Sequence, residues 1–98
     1  MNDPVESFFA QCQAVLAGDA ALLARLQAAG FDCQAGYWAF RLPQLHLWLA
    51  PQLDYPRLRK ALYASELNTR LKTLGGELAI VDNQGSSDLS LYCLRRLS

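Results

Sequence analysis

The 98-residue chain has no surplus charge: nine Lys and Arg side chains balance nine Asp and Glu. Without a basic field, nothing in the composition draws nucleic acid or an anionic lipid surface. Near-zero net charge instead favours association with other proteins. Histidine occurs once, at His46, and cysteine three times, at Cys12, Cys33 and Cys93, with long spacings and no CxxC pair. A zinc site needs about four ligands at short spacing, so neither a metal nor a disulfide framework is expected. The bland expectation is three buried, reduced thiols. No apolar run reaches the roughly 18 residues of a membrane-spanning helix. The start, Met1-Asn2-Asp3-Pro4, lacks the basic and apolar regions of a secretion signal. The cytoplasm is therefore the expected location. A phosphate-binding glycine loop is missing too, because Gly75-Gly76 follows a helical pattern and leads into Glu77.

What remains is a hydrophobic chain, 52% apolar and 18% charged. That balance supports a packed core and argues against disorder. The length fits one domain over 1–98. Asp3 can cap a first helix with Pro4 in its first turn, and Phe8, Phe9, Cys12, Val15 and Leu16 recur at helical spacing. Gly18 interrupts it. Asp19 can cap a second helix carrying Leu22, Leu23 and Leu26, ended by Gly30. The stretch 14–32 resembles half of an ankyrin repeat, but nothing else repeats and a solenoid needs about three copies. A helical hairpin is expected, or one longer helix nicked at Gly18.

Residues 36–50 read as short strands. Tyr37, Trp38, Phe40 and Leu42 lead to Pro43-Gln44, which suggests a hairpin turn or an interrupted edge strand. Leu45, Leu47 and Leu49 would then share one face, with His46 and Trp48 on the other. Residues 54–74 read as one long central helix, with Asp54 as N-cap and Gly75-Gly76 as stop. Leu58 and Leu62 lie on one side of that helix, whereas Leu67, Leu71 and Leu74 lie nearly opposite. Either the helix breaks near Ser65, or it buries opposite faces at its two ends. Leu78, Ile80 and Val81 form a strand, residues 82–88 a turn holding Asp82 and Asp88, and Leu89–Leu97 a second strand. The fold class is α+β: an N-terminal helical hairpin, a small antiparallel sheet of four or five strands and a central helix.

No catalytic constellation emerges. The carboxylates are scattered, and His46 has no thiol nearby in sequence, so the chain is read as a non-enzyme without a cofactor. The aromatic cluster is the best candidate site. Trp38, Phe40 and Leu42 alternate and can share one buried face. Trp48 must be either covered by a helix layer or offered to a partner.

The run Leu58 to Asn68, then Gly75-Gly76, Glu77 to Asn83 with Asp82, and Leu89 to Leu97 with Arg95-Arg96 resembles the class I type III secretion chaperones, the Tir-chaperone family. That resemblance covers about residues 53–97. It implies a non-catalytic homodimer that holds the N-terminal segment of a secreted effector, with dimerisation through the helix around 54–74. Leu58, Leu62, Leu67, Leu71, Leu78 and Ile80 are the dimer-face candidates. Trp38, Phe40, Leu47 and Trp48 are the candidates for contact with a bound segment. The alternatives are an unrelated adaptor or interaction module and, behind it, a small ligand-binding domain or enzyme.

Overall fold

In a computed structural model, which describes residues 3–83, 85 and 89–97, the chain is α+β, with five helices over a four-stranded antiparallel sheet. Helix α1 spans Pro4–Ala17 and α2 spans Ala20–Ala28. Their caps are those expected from the sequence. Asp3 accepts the Val5 N–H at 2.9 Å, and Asp19 accepts those of Ala21 and Leu22 at 3.0 and 3.2 Å. Each bond satisfies an orphan donor of a first turn. Gly18, left-handed at φ 79, ends α1, and the two helices meet at a bend of 113°. They form the hairpin, not one nicked helix. Among the described residues no single helix is long and apolar enough to cross a membrane.

Strands β1 (Asp32–Gln34) and β2 (Tyr37–Phe40) follow as a tight hairpin turning at Ala35-Gly36. Gly36 needs its freedom, because its φ is 81 and the Arg96 guanidinium lies where a Cβ would stand. The expected turn at Pro43-Gln44 is not formed. Residues Leu42–Leu49 are instead helix α3, with Pro43 in its first turn. The strand expectation rested on alternation of Leu45, Leu47 and Leu49. The spacing that governs is Leu42, Leu45 and Leu49, which puts three apolar side chains on one helical stripe. Leu42 and Leu45 are buried there, and Leu47 points away.

The long central helix is corrected as well. Helix α4 (Tyr55–Ala64) and helix α5 (Leu67–Thr73) are separate, joined through Ser65 in an extended conformation at φ −81, ψ 158. The Ser65 hydroxyl donates at 2.7 Å to the Leu62 carbonyl in the last turn of α4, which also takes the Ser65 N–H at 3.4 Å. A straight helix would set Leu67 about 140° from Leu62, five residues at 100° each. The break re-registers the chain, so that Leu58, Leu67 and Leu71 are all buried. Strand β3 (Gly76–Asp82) and strand β4 (Leu91–Arg96) complete the sheet in the order β1-β2-β4-β3. Asp82 ends β3, while Asp88 lies outside the described residues.

Register sorts the sheet into rows. Trp38, Leu94 and Leu78 stand side by side, as do Phe40, Tyr92 and Ile80, and both rows face the helices. Trp38 is fully buried and meets Phe8 and Phe31 edge-on at 5.4 and 5.6 Å. Its indole N–H has no hydrogen-bond partner among the described residues. Burying a ring of up to ~250 Å² contributes roughly 6 kcal/mol, which outweighs an unmade hydrogen bond at about 1–3 kcal/mol. The opposite face carries the small row Ala39, Cys93 and Ala79, with Glu77 paired to Arg95 at 2.6 Å.

Candidate binding groove

The aromatic candidates divide once burial is known. Trp38 and Phe40 are core residues, packed under α1 and among the rings around them. Trp38 lies wholly inside, whereas Phe40 reaches the surface only as part of the groove floor described below. Trp48 is half-buried and held from three sides: its indole N–H donates to Gln11 Oε1 at 2.7 Å, Arg25 lies over the ring at 5.5 Å, and Phe31 meets it edge-on at 5.9 Å. Leu47 alone of the four is strongly exposed, at 70%. It borders a shallow depression of about 250 Å³ with Trp48, Phe31 and Ala29.

The dimer-face candidates divide in the same way. Leu58, Leu67 and Leu71 are inside the chain's own core, so they cannot serve as an interface while the monomer keeps this fold. Leu62, Leu78 and Ile80 remain, and the structure brings them together. They line an apolar groove of about 310 Å³ between α4, the start of α5 and the β3 edge. Its floor is Phe8, Phe40, Leu42, Leu45 and Leu67. Tyr63 on α4 and Tyr92 on β4 join across it, with their hydroxyl oxygens 2.6 Å apart. Tyr63 is 61% and Ile80 53% exposed, so large apolar surface sits at the mouth. Tyr63, Tyr92 and Asn68 did not stand out as site residues in the sequence. Tyr63 falls outside the leucine pattern of its helix, and only the packing of α4 beside β4 brings the two phenols together.

Strand β3 is an edge strand, and half of that edge is blocked. The Gly75 carbonyl accepts the Leu97 N–H at 2.8 Å, which sets Gly75, Glu77 and Ala79 toward β4. Strand alternation then turns the backbone groups of Gly76, Leu78 and Ile80 outward. The outward Leu78 N–H does not face solvent, because it donates to Asn68 Oδ1 at 3.0 Å. Asn68 thus acts as a side-chain surrogate for a fifth strand, and α5 lies against that part of β3. Beyond it the ladder shifts register between Ile80 and Asp82. Blocking and irregularity of this kind are how proteins keep an edge from pairing indiscriminately. The unblocked piece, at Ile80, lies where the groove opens.

Polar chemistry elsewhere is structural. His46 Nε2–H donates to the Leu53 carbonyl at 2.5 Å, tying α3 to the following turn. The basic pair of β4 is engaged: Arg95 with Glu77, and Arg96 with the Leu16 carbonyl at the end of α1, at 2.7 Å from Nη2. Cys12, Cys33 and Cys93 are free and buried. Desolvation pushes each thiol pKa up, away from the reactive thiolate. Among the described residues, no three His, Cys, Asp or Glu side chains gather as a metal would require.

No protein-family model, no curated protein and no solved structure matches this chain.

Proposed function

We propose that this chain is a non-catalytic protein-binding domain that holds a short, extended apolar segment of another protein in the groove between α4 and β3. The observation that carries this reading is the meeting of Leu62, Tyr63, Leu78, Ile80 and Tyr92 around one apolar concavity, beside the free end of an edge strand. A bound segment would place alternate side chains in the groove and share main-chain hydrogen bonds with Ile80. A secreted protein's N-terminal segment, the partner implied by the chaperone resemblance, has this chemistry. Such a partner must be held unfolded, with apolar side chains at every second position available. A homodimer, the second expectation from that resemblance, would have Leu62, Leu78 and Ile80 to use, because the remaining leucines of α4 and α5 are buried. A second copy is not needed to complete the groove.

Chemical-shift mapping with a peptide of alternating leucine and threonine tests the proposal. Shifts at Leu62, Tyr63, Ile80 and Tyr92 are expected, and they should vanish in an Ile80→Glu variant. Half-exposed Ile80 can accept the charge without unfolding the chain. Shifts confined to Leu47 and Trp48, or none, would move the site or remove it.

A further inference from the structure

Beside the groove, the edge of β3 carries a side-chain donor that the fold leaves unspent. Ile80 turns its N–H and C=O outward, as does Leu78 two residues back, and like groups on one edge recur about every 7 Å. At Leu78 the outward N–H is taken by Asn68 Oδ1 at 3.0 Å. Because the Leu78 group is a donor, the Asn68 atom facing it is the oxygen, and the side-chain NH2 is the end left over. Asn68 is half-buried and lines the groove, and among the described residues its Nδ2 meets no acceptor. A partly desolvated donor without an acceptor costs stability that an incoming carbonyl restores. The edge therefore presents the Ile80 N–H, the Ile80 C=O and the Asn68 Nδ2–H to whatever lies in the groove.

We infer that Asn68 binds a main-chain carbonyl of an extended segment laid antiparallel on β3, two residues along from the one that pairs with Ile80. The inference rests on the groove being a protein-binding site. A residue directly opposite Ile80 exchanges both main-chain hydrogen bonds with it and lays its side chain on the same face, the groove face of Leu62 and Tyr92. Two residues on, the segment brings its next edge-facing carbonyl to the level of Leu78, where the N–H it would take is already used. Asn68 Nδ2–H donates to it instead. The segment leaves the edge at that point, because α5 lies against that part of β3. Recognition is then by main chain at two points and by apolar bulk in the groove, with little demand on side-chain identity. The Ile80 carbonyl selects the class of occupant, since it needs a donor. A peptide main chain supplies donors and acceptors in alternation, whereas a fatty carboxylate supplies acceptors only. A second copy of this chain supplies less, because its own β3 edge is unblocked only at Ile80, between its Asn68 and the register shift before Asp82.

An ester scan tests this. A short fluorescent peptide with both ends blocked holds one leucine–threonine–leucine stretch between serines, which fixes its register. Each peptide bond in turn is replaced by an ester, whose carbonyl is the weaker acceptor. Fluorescence anisotropy reads the affinities for the intact chain and for Asn68→Asp, which keeps an acceptor for the Leu78 N–H and has no donor to give. Circular dichroism confirms that the variant is folded. The parent chain should bind the all-amide peptide about three- to tenfold tighter than Asn68→Asp does, the worth of one hydrogen bond. One ester position should weaken binding to the parent by a similar factor and leave Asn68→Asp unaffected, while esters opposite Ile80 weaken both. Esters that weaken the two proteins alike, with binding still abolished by Ile80→Glu, would overturn the role of Asn68 and leave the groove as a binding site. Absence of peptide binding would overturn both readings. In that case a parent chain that is dimeric by light scattering and made monomeric by Ile80→Glu would assign the edge to a second copy, and decanoate shifting the Leu62 and Tyr92 resonances would assign the groove to a lipid.

Discussion

Asn68 offers the sharpest test of how this chain protects its edge while keeping a binding site. Its Oδ1 takes the outward N–H of Leu78 at 3.0 Å in a half-buried setting. Replacing it with Ala removes the acceptor and leaves that donor beside α5, where a strand partner cannot reach and water reaches only in part. An unmade hydrogen bond at such a site costs about 1–2 kcal/mol, and a domain of this size then loses roughly 5–10 °C in Tm. Asn68→Asp keeps an oxygen at the same place and should retain most of the stability at neutral pH. Asn68→Leu keeps bulk without an acceptor and should behave like Ala or worse. Urea titration gives the energies, and hydrogen exchange at the Leu78 amide gives the local effect. That amide should lose protection in the Ala and Leu variants and keep it in Asp. Unchanged Leu78 protection together with unchanged stability in Asn68→Ala would refute the surrogate-strand account. A further consequence concerns association. With Asn68 gone, the free edge lengthens toward Gly76, and light scattering should detect edge-to-edge oligomers that the parent chain does not form at the same concentration.

Other predictions follow from the same contacts. Leu71→Ala, at a fully buried site, should cost about 2–5 kcal/mol in urea unfolding, whereas Leu47→Ala on the surface should stay within about 0.5 kcal/mol. Comparable losses for the two would mean that Leu47 is covered in solution by a second copy. The Arg70 guanidinium, bonded to both Glu6 oxygens at 2.8 and 3.0 Å, holds the Glu6 carboxyl below its usual range. A lowered folded-state pKa means that this contribution is complete above the unfolded value and lost as pH falls through the folded one. Glu6→Gln should flatten that acid limb of the stability curve, and an unchanged limb would show the pair to be inert. The three thiols should resist a thiol reagent in the native state at mildly alkaline pH and react once urea unfolds the chain. Fast native labelling of Cys93 would show that the Ala39–Cys93–Ala79 face is open.

Much of the local structure was legible. Asp3 and Asp19 are helix caps because a short carboxylate after a break meets orphan N–H groups wherever it occurs, and Gly18 ends a helix because its own φ allows it. The pairing of Leu78–Val81 with the strand around Cys93 follows from alternation about a polar turn. Residues 42–49 were misassigned for an equally local reason. In LPQLHLWL nearly every second and every third residue is apolar, so strand and helix spacings both fit, and the choice falls to what the segment packs against. Ser65 left two outcomes open, and the demand that Leu58, Leu67 and Leu71 reach one core selected the break.

By itself the sequence determined the Asp3 and Asp19 caps of α1 and α2, the α+β class, the final hairpin and the leucines available for burial, since these depend on residues close together in the chain. Only the tertiary structure decided which apolar side chains are spent on the core and which are left at the surface. Trp38, Phe40, Leu58, Leu67 and Leu71 went inside, whereas Leu62, Tyr63, Ile80 and Tyr92 came together at the groove. Burial is a property of what arrives from elsewhere in the chain, and no local spacing of residues records it.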